Sequence, residues 1–499
     1  MLATARTFTL LGVTAREVRV EADVRGGLPT FALVGLPDRA VRESRERVRA
    51  AIANSGFEFP QRRITANLAP ADLRKAGPAF DLAIAAAILA ASDQLAQDRL
   101  EGVALAGELA LDGSIRIVPG ALAMAEAARR AGARAIALPA GSAGEAALAG
   151  GLRVLPIDRL DQLATIGTEA EPGPPDPPLL DGDGPAATGF DLGDLRGQPY
   201  LRRALEVAAA GGHSLLITGP PGAGKSMAAR RLPSLLPPLD QAEAIDALRI
   251  ASATGRRLEP ERACSRPFRA PHHTISTAGL VGGGSPPRPG EVTLAHRGVL
   301  FLDELPEFRR DALEALRQPL EEGRVEIARA RHVLDLPCEF QLVAAANPCP
   351  CGRGRDHPDC ECTTIAARAH AAKLSGALAD RIDITLRVSQ PDPETLSGPP
   401  EESSAAVRER VLAARELQAG RLGVGRVNGS STPAEMRAHC SLDDSSRRLL
   451  ARSGAGPLLS ARGHGRVLRV ARTIADLAGA AELGSDHVFE ALALRRPPA

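Results

Sequence analysis

The sequence predicts an α/β protein of several domains, and three observations support that prediction. At 499 residues the chain is too long for one hydrophobic core. Segments 167–194 and 391–404 are rich in proline and in acidic or small polar residues, which is typical of solvated connectors. Between them, apolar runs of strand type alternate with helical runs, as in a parallel sheet covered by helices. We therefore expect domains at 1–166, 195–390 and 405–499.

The expected elements follow in chain order. In the first domain, of α+β type, we expect a strand at 30–34, an amphipathic helix at 40–55 and a buried helix at 80–91. The central domain has apolar runs typical of buried strands at 214–218, 298–302 and 339–346. The small last domain is expected to be helical at 405–420, 443–452 and 463–477.

Composition limits the functions open to the chain. The 61 basic and 60 acidic residues leave a formal net charge of +1, so any surface that attracts nucleic acid or membrane must be local. The sequence has neither a signal-peptide pattern nor an apolar stretch of the roughly 18 residues that span a bilayer. Four of the seven cysteines crowd into residues 349–362, unlike a disulfide framework. We expect a cytoplasmic protein without membrane attachment.

A nucleotide-binding pattern follows the apolar run at 214–218. The pattern G-x-x-x-x-G-K-[ST] is formed by Gly219, Pro220, Pro221, Gly222, Ala223, Gly224, Lys225 and Ser226. Its glycines allow backbone N–H groups to surround phosphates at the positive end of a helix, and the lysine reaches the β- and γ-phosphates. The serine hydroxyl is a ligand for Mg²⁺. The sequence therefore predicts a site for ATP and Mg²⁺.

Two later strands end in side chains suited to ATP hydrolysis. Asp303 and Glu304 follow the apolar run at 298–302, where a parallel sheet presents its ligand-binding edge. We expect Asp303 to hold Mg²⁺ and Glu304 to orient or deprotonate the attacking water. Asn347, after the next strand, is a neutral amide suited to placing that water near the γ-phosphate.

Further motifs resemble the Mg-chelatase-like AAA+ proteins of the ComM/YifB type, over essentially the whole chain outside the connectors. The motifs are HHTIS at 272–276, GGG at 282–284, RPGE at 288–291, LAHRGVLFLDE at 294–304, RQPLE at 317–321 and NPCPCG at 347–352. The resemblance implies that Asn347 is the sensor 1 residue, Arg381 an arginine finger and Arg466 the sensor 2 arginine. An ordinary ion pair is the alternative for both arginines, and Arg462, Arg469 and Arg472 compete for the sensor 2 role.

The resemblance also implies a function and an assembly. It indicates a hexameric ring of identical subunits that drives DNA branch migration in recombination, as in natural transformation. One alternative is the motor subunit of magnesium chelatase. Another is an unfoldase that remodels proteins and receives its clients on the N-terminal domain.

Four cysteines form a candidate metal site in the central domain. Cys349, Cys351, Cys360 and Cys362 form two C-x-C pairs that are separated by a short loop containing Gly352 and Gly354. Tetrahedral zinc with a structural role is the natural occupant of four thiolates. Free or redox-active thiols and another metal are the alternatives, and His357 can replace one ligand.

The first domain resembles the proteolytic domain of Lon, through GPA at 77–79, AGEL at 106–109 and VPG at 118–120. The resemblance places the nucleophilic serine of active peptidases in the first segment and their lysine in the helix after the last. Here Ala79 has no hydroxyl, and residues 120–128 contain no lysine. We therefore expect a scaffold without peptidase activity that stacks subunits or binds DNA.

Basic residues in two segments of the central domain are candidates for DNA contact. Arg269 and Arg288 lie in a glycine-rich insert, and Arg329 and Arg331 lie near the tip of an expected hairpin at 323–334. In a ring both segments would face the pore, where arginines bind phosphates without reading sequence. Internal pairing with Glu321, Glu322 and Glu326 is the alternative, and His272 and His273 are equally well explained as packing residues. Because aromatic residues are few, a duplex backbone is the expected ligand.

Overall fold

The structure is a computed structural model of the whole chain. It describes residues 1–178, 180, 189–256, 262–284, 287–329, 332–354, 357–374, 378–453 and 461–495. Packing divides the chain into two compact units. The first contains Met1–Leu180, Ala244–Ala263 and Gly284–Arg288, and the second contains Asp181–Glu243, Cys264–Gly283 and Pro289–Ala499.

The first unit is built on a mixed sheet. Its strands are β1 (Leu2–Leu11), β2 (Thr14–Arg25), β3 (Thr30–Val34), β4 (Arg63–Ala69), β5 (Val103–Leu105), β6 (Glu108–Leu109), β7 (Ile115–Arg116), β8 (Ala135–Leu138) and β9 (Arg153–Pro156). Its helices are α1 (Arg39–Asn54), α2 (Asp81–Ala91), α3 (Gln97–Leu100), α4 (Ala121–Arg130) and α5 (Ala140–Ala147). Within the described residues, seven of the strands form one sheet in the order β3-β4-β2-β1-β5-β8-β9.

The two helices that the sequence predicts in this unit, at 40–55 and 80–91, are present as α1 and α2. Helix α1 is capped by Asp38, whose carboxylate accepts a hydrogen bond from the Val41 amide at 2.8 Å. Every residue of α2 is buried, as expected for a helix that is apolar nearly all round. Ala79, in the short helix before α2, is itself buried.

Further elements extend from Pro199 to the C-terminal part of the chain. The strands are β10 (Leu215–Thr218), β11 (Phe268–Arg269), β12 (Gly282–Gly283), β13 (Arg288–Pro289), β14 (Val299–Leu302), β15 (Arg324–Arg329), β16 (His332–Pro337), β17 (Gln341–Ala346) and β18 (Ile384–Arg387). The helices are α6 (Pro199–Gly211), α7 (Lys225–Leu235), α8 (Gln241–Ala253), α9 (Thr277–Val281), α10 (Glu291–Leu294), α11 (Arg310–Ala315), α12 (Arg317–Glu322), α13 (Thr364–Leu374), α14 (Pro393–Leu396), α15 (Ser404–Leu422), α16 (Pro433–His439), α17 (Asp444–Ser453), α18 (Ala461–Leu477) and α19 (Ser485–Ala493).

A parallel sheet is the core of the second unit. Five described strands run in the order β11-β14-β17-β10-β18, and every pairing between them is parallel. All residues of β10, β14 and β17 are buried, which explains why their sequences are apolar except for Thr218 and Gln341. Strands β15 and β16 form the predicted hairpin outside this sheet.

The three C-terminal helices that the sequence predicts are present as α15, α17 and α18, and the structure adds α16 and α19. Helix α15 packs on α6, α7 and α18, and α18 packs on α19. The short helix α14 lies inside the segment expected to be a plain connector. Among the described helices, the structure has none that is both long enough and apolar enough to cross a membrane.

A segment between the P-loop helix and β11 belongs to the first unit, which the sequence does not indicate. Leu248 of α8 packs with Leu122 of α4. The carbonyl oxygen and the hydroxyl of Ser252 accept hydrogen bonds from the Gly120 amide at 3.0 and 3.1 Å, so the start of α4 is capped by α8.

Candidate ATP site and cysteine cluster

The P-loop connects β10 to α7 at the carboxyl edge of the parallel sheet. Gly222 and Gly224 have φ values of 79° and 83°, a left-handed conformation that glycine adopts without steric cost. The Gly219 amide donates to the Ala346 carbonyl at 3.2 Å, so the loop starts beside the end of β17. Helix α7 begins at Lys225. Its first amides therefore face the space where phosphates are expected.

Lys225 and Asn347 meet at this edge. The Lys225 ammonium donates to the Gly219 and Pro220 carbonyls at 2.7 and 2.9 Å and to Asn347 Oδ1 at 3.1 Å. Burial lowers the pKa of Lys225, and the carboxylates of Asp303 and Glu304 act in the opposite direction. A half-buried ammonium and a neutral amide are thus placed together at the predicted phosphate position.

Ser226 and Asp303, the residues expected to bind magnesium, are in direct contact. The Ser226 hydroxyl donates to Asp303 Oδ2 at 2.7 Å, although the two residues are 77 positions apart. Two neighbouring oxygens of an octahedral Mg²⁺ site lie about 3.0 Å apart, given Mg–O distances of 2.0–2.1 Å. The two oxygen atoms are therefore close enough to share one cation.

Glu304 occupies a left-handed turn directly after Asp303. Its φ is 53°, unusual for a residue with a side chain, and its amide donates to Asp303 Oδ1 at 3.0 Å. Its carboxylate is 55% exposed and lies 3.4 Å from Nδ1 of His273, whose ring centroid is 4.1 Å from that of His272. The sequence suggested only packing or DNA contact for these histidines. It did not predict that His273 would contact the expected catalytic carboxylate.

Arg381 and Arg466 are not brought to this site. Arg381 forms an ion pair with Glu321, and its carbonyl accepts a hydrogen bond from Ser214, just before β10. Arg466, with 8% of its side chain exposed, lies 3.9 Å from Asp383, just before β18. Both arginines are thus at the amino edge of the sheet, and the P-loop is at the carboxyl edge.

Burial leaves part of the Arg466 guanidinium without a partner. Its Nη1 atom is buried and has no hydrogen-bond acceptor within the part of the chain that is described. Burial and the nearby charge of Arg495 lower the pKa of Arg466, whereas Asp383 raises it. A buried donor of this kind costs about 1–3 kcal/mol unless an acceptor reaches it.

The four predicted cysteines come together. Their sulfur atoms all lie within 4.8 Å of one another, with 3.3 Å between Cys349 and Cys351 and 3.9 Å between Cys349 and Cys360. Zn–S bonds of about 2.3 Å in a tetrahedron place sulfur atoms about 3.8 Å apart, so this arrangement fits zinc. His357, the alternative ligand, is not part of the cluster and lies 3.8 Å from Asp359.

Backbone amides donate hydrogen bonds to two sulfur atoms of this cluster, and its thiol pKa values shift in both directions: that of Cys351 is lowered, whereas those of Cys360 and Cys362 are raised. The Gly354 amide donates to Cys349 Sγ at 3.2 Å, and the Cys351 amide donates to Cys362 Sγ at 3.4 Å. A hydrogen bond from the Arg353 backbone, with others from the neighbouring thiols, lowers the pKa of Cys351 to about 6.

The cysteine loop packs against the P-loop. A Cβ atom on Gly352 would lie 2.9 Å from Cδ of Pro221, so only glycine allows this approach. Pro221 is also held by Gln390, which donates to its carbonyl at 2.8 Å, and His370 lies 2.9 Å from the Asn347 carbonyl oxygen. The cluster thus begins two residues after Asn347 and lies against the P-loop, a proximity that sequence spacing did not reveal.

The arginines predicted to contact DNA have different surroundings. Arg269 donates to both carboxylate oxygens of Glu291 at 2.6 and 2.8 Å, so its guanidinium is occupied by an internal pair. Arg288 is exposed. The side chain of Arg329 and the whole of Arg331 lie outside the described residues.

The parallel sheet and the residues at its carboxyl edge indicate the class of protein. A parallel sheet with the P-loop strand in its interior, and with Asp303 and Asn347 ending two neighbouring strands, is consistent with an AAA+-like fold. Three family profiles then match the chain. "Magnesium chelatase, subunit ChlI" matches residues 191–396, "Subunit ChlI of Mg-chelatase" matches 20–142, and "Magnesium chelatase, subunit ChlI C-terminal" matches 401–495.

Relatives that align over nearly the whole chain identify the family. The chain is 43% identical to the "Uncharacterized protein YifB" of Salmonella typhimurium, over 99% of this chain and 97% of that protein. It is 41% identical to the "Competence protein ComM" of Haemophilus influenzae, over 97% and 96%. The chain therefore belongs to the Mg-chelatase-like family of the ComM/YifB type. It is also 30% identical to "Lon protease 2" of Bacillus subtilis over 32% of each chain, in line with the Lon resemblance of the first domain.

Proposed function

We propose that this protein is a cytoplasmic ATPase that works as a hexameric ring and drives branch migration of DNA. The observation that carries the proposal is the meeting of Lys225 with Asn347, and of Ser226 with Asp303, at one edge of a parallel sheet. These groups suit the binding of a triphosphate and Mg²⁺, and Glu304 is placed beside them to activate water.

Glu304→Gln tests the hydrolytic part of the proposal. Glutamine keeps the size of the side chain and removes its ability to accept a proton. We expect the variant to bind ATP with unchanged affinity and to lose turnover. Because Glu307 carries the same charge nearby in the following short helix, Glu307→Gln is the matched control and should keep turnover. Full ATPase activity in Glu304→Gln would remove Glu304 from the catalytic step.

The positions of Arg381 and Arg466 support action on a neighbouring subunit. Strand β10 is four residues long, so at about 3.3 Å per residue its two ends are at least roughly 10 Å apart. An arginine paired with Asp383 at the amino edge does not reach the phosphates bound by its own P-loop. In the proposed ring it would act at the site of the next subunit, where a phosphate would satisfy the Nη1 atom of Arg466 once a side-chain movement exposes that atom.

Action on DNA is supported by two observations. The relative from Haemophilus influenzae is named a competence protein, and competence is the uptake of DNA. The exposed Arg288 lies in the glycine-rich insert, where a cation contacts a phosphate without reading its base. This favours sequence-independent binding that weakens as salt rises.

The test compares the molecules on which the ATPase could act. We would measure the ATPase rate with branched DNA, duplex, single strands and unfolded protein, and strand exchange at low and moderate salt. Stimulation by branched DNA, together with ATP-dependent strand exchange, is expected. Stimulation by unfolded protein alone would instead indicate an unfoldase. Stimulation only by partner subunits of a porphyrin-metallating enzyme would indicate a chelatase motor, the activity for which the matched family is named.

We also propose that the cysteine cluster holds one structural zinc ion. The sulfur distances and the amide hydrogen bonds support this occupant. Metal analysis of freshly purified reduced protein should give about one zinc per chain, and Cys351→Ser should remove it. Cys264→Ser, at a buried cysteine outside the cluster, is the control and should retain the metal. Wild-type protein with no bound metal and four reactive thiols would favour the redox alternative.

A further inference from the structure

A groove of about 230 Å³ opens on the first unit. Its aromatic side chains are the rings of Phe31 and Phe59, whose centroids lie 5.9 Å apart. The charged side chains that line it are Arg45, Glu46, Arg49 and Arg62. The chain has 11 Phe, one Tyr and no Trp, so a pair of partly exposed rings beside three arginines is a rare combination here.

The fold explains why the groove is open and why its shape is fixed. In the described part of the chain, β3 is the edge strand of its sheet, so no neighbouring strand lies beside Phe31 on the outer side. The loop between α1 and β4 supplies Phe59 and is held at both ends. The Thr30 amide donates to the Arg62 carbonyl at 3.3 Å, and Glu58 exchanges two hydrogen bonds with Gln94 at 2.7 and 2.8 Å.

The charge in the groove is positive. In the described part of the chain, Arg45, Arg49 and Arg62 form no ion pair with a carboxylate, and Arg45 and Arg62 are exposed. Arg49 lies over the ring of Phe59, 5.7 Å from its centroid, and extends the stacking surface with a planar cation. Three arginines and Glu46 leave a net charge of +2.

We propose that this groove binds single-stranded nucleic acid. A base stacks on the Phe31 and Phe59 rings, and the flanking phosphates lie on Arg45 and Arg62. In a duplex the faces of the bases are covered by their neighbours, so a ring pair favours unpaired strands. This inference rests on the proposed action on DNA and adds a second contact, one that holds a strand after it has been separated.

Photo-crosslinking of the full-length protein tests the site directly. Short DNA single strands that contain 5-iodouracil are bound, irradiated and digested, and the crosslinked peptide is identified by mass spectrometry. We expect crosslinks at Phe31 or Phe59. A duplex of the same sequence should give few. Crosslinks confined to residues outside the groove would overturn the proposal.

Three variants separate binding from folding. Phe59→Leu keeps an apolar side chain in the core and removes the ring, and Arg62→Ala changes an exposed side chain whose backbone contact persists. Phe59→Leu should weaken single-strand binding by about tenfold, since stacking contributes roughly 1–3 kcal/mol per base. Arg62→Ala should weaken it and reduce its dependence on salt, since it removes a phosphate contact. Arg130→Ala, at an exposed position of α4, is the matched control and should change nothing.

The outcomes distinguish this inference from the proposed function. If the groove variants bind single strands as the wild type does while branched DNA still stimulates the ATPase, the groove proposal fails and the motor proposal stands. If no DNA binds or stimulates the wild type, both fail. Loss of single-strand binding with unchanged thermal unfolding and intact basal ATPase activity supports the groove.

Discussion

Gly352→Ala tests whether the cysteine loop braces the P-loop. The new Cβ atom would lie 2.9 Å from Pro221 Cδ and 3.0 Å from its Cγ, closer than side-chain atoms approach without displacement. The φ of 83° adds backbone strain for any residue other than glycine. The substitution therefore forces the P-loop and the loop after Asn347 apart.

The expected effect of Gly352→Ala has two parts, backbone strain and overpacking, and a control variant separates them. Gly425→Ala is the matched control, because Gly425 has a φ of 77° and nothing lies within 4 Å of its Cβ position. Both variants bear the left-handed strain of about 1–2 kcal/mol. Only Gly352→Ala adds overpacking of about 1–3 kcal/mol. A difference of that size corresponds to roughly 5- to 150-fold in an equilibrium or rate constant.

The assay is steady-state ATPase activity with fluorescent-nucleotide binding, and zinc content is measured on the same samples. We expect kcat/KM to fall for Gly352→Ala by that factor relative to Gly425→Ala, whether the P-loop or Asn347 is displaced. Equal kcat/KM and equal nucleotide affinity in the two variants would refute the idea that the cysteine loop positions the site.

Two further predictions concern arginines. Mixing Arg381→Ala subunits with Lys225→Ala subunits should partly restore ATPase activity, because each supplies what the other lacks; no recovery in rings shown to be mixed would contradict action across the subunit boundary. Arg47→Ala should lower the free energy of unfolding by about 3–5 kcal/mol, since it leaves the buried carboxylate of Asp81 without its ion-pair partner at 2.6 Å. Burial raises the pKa of Asp81 to about 6, although the hydrogen bonds from Arg47 lower it. A carboxyl group with a raised pKa stabilises the fold while it is protonated, and this stability is lost as the pH rises through that pKa. Denaturant titrations should therefore show that Arg47→Ala lowers the free energy of unfolding more at pH 8 than at pH 5. The exposed variant Arg39→Ala should cost less than about 1 kcal/mol at either pH.

The nucleotide site is the part of this molecule that sequence predicts best, because local rules determine it. Apolar runs identify β10, β14 and β17, and the side chains that follow parallel strands meet at one edge. That rule places Ser226 beside Asp303 and Lys225 beside Asn347 before any coordinates are known. The hydrogen bonds at 2.7 and 3.1 Å agree with it.

Other features depend on how distant segments pack, and sequence spacing does not contain that information. The contact of His273 with Glu304 brings together residues of an insert and of a strand end. Arg269, a predicted DNA contact, is instead paired with Glu291. Glu291 is not one of the three glutamates that the sequence suggested as partners. The packing of Gly352 on Pro221 likewise becomes visible only when both loops are placed.

The edge at which Arg381 lies has a consequence for how subunits cooperate. To serve a neighbour's phosphates, its guanidinium must leave Glu321, whose side chain is 53% exposed. An ion pair with so exposed a partner contributes roughly 0–1 kcal/mol, so this pair is not by itself a barrier to the exchange. A triphosphate offers more negative charge than one carboxylate and therefore competes well for the same guanidinium. In the proposed ring, Glu321 would hold Arg381 between catalytic events, and nucleotide bound in one subunit would change an ion pair in the next. Such an exchange would relay the state of each site to its neighbour.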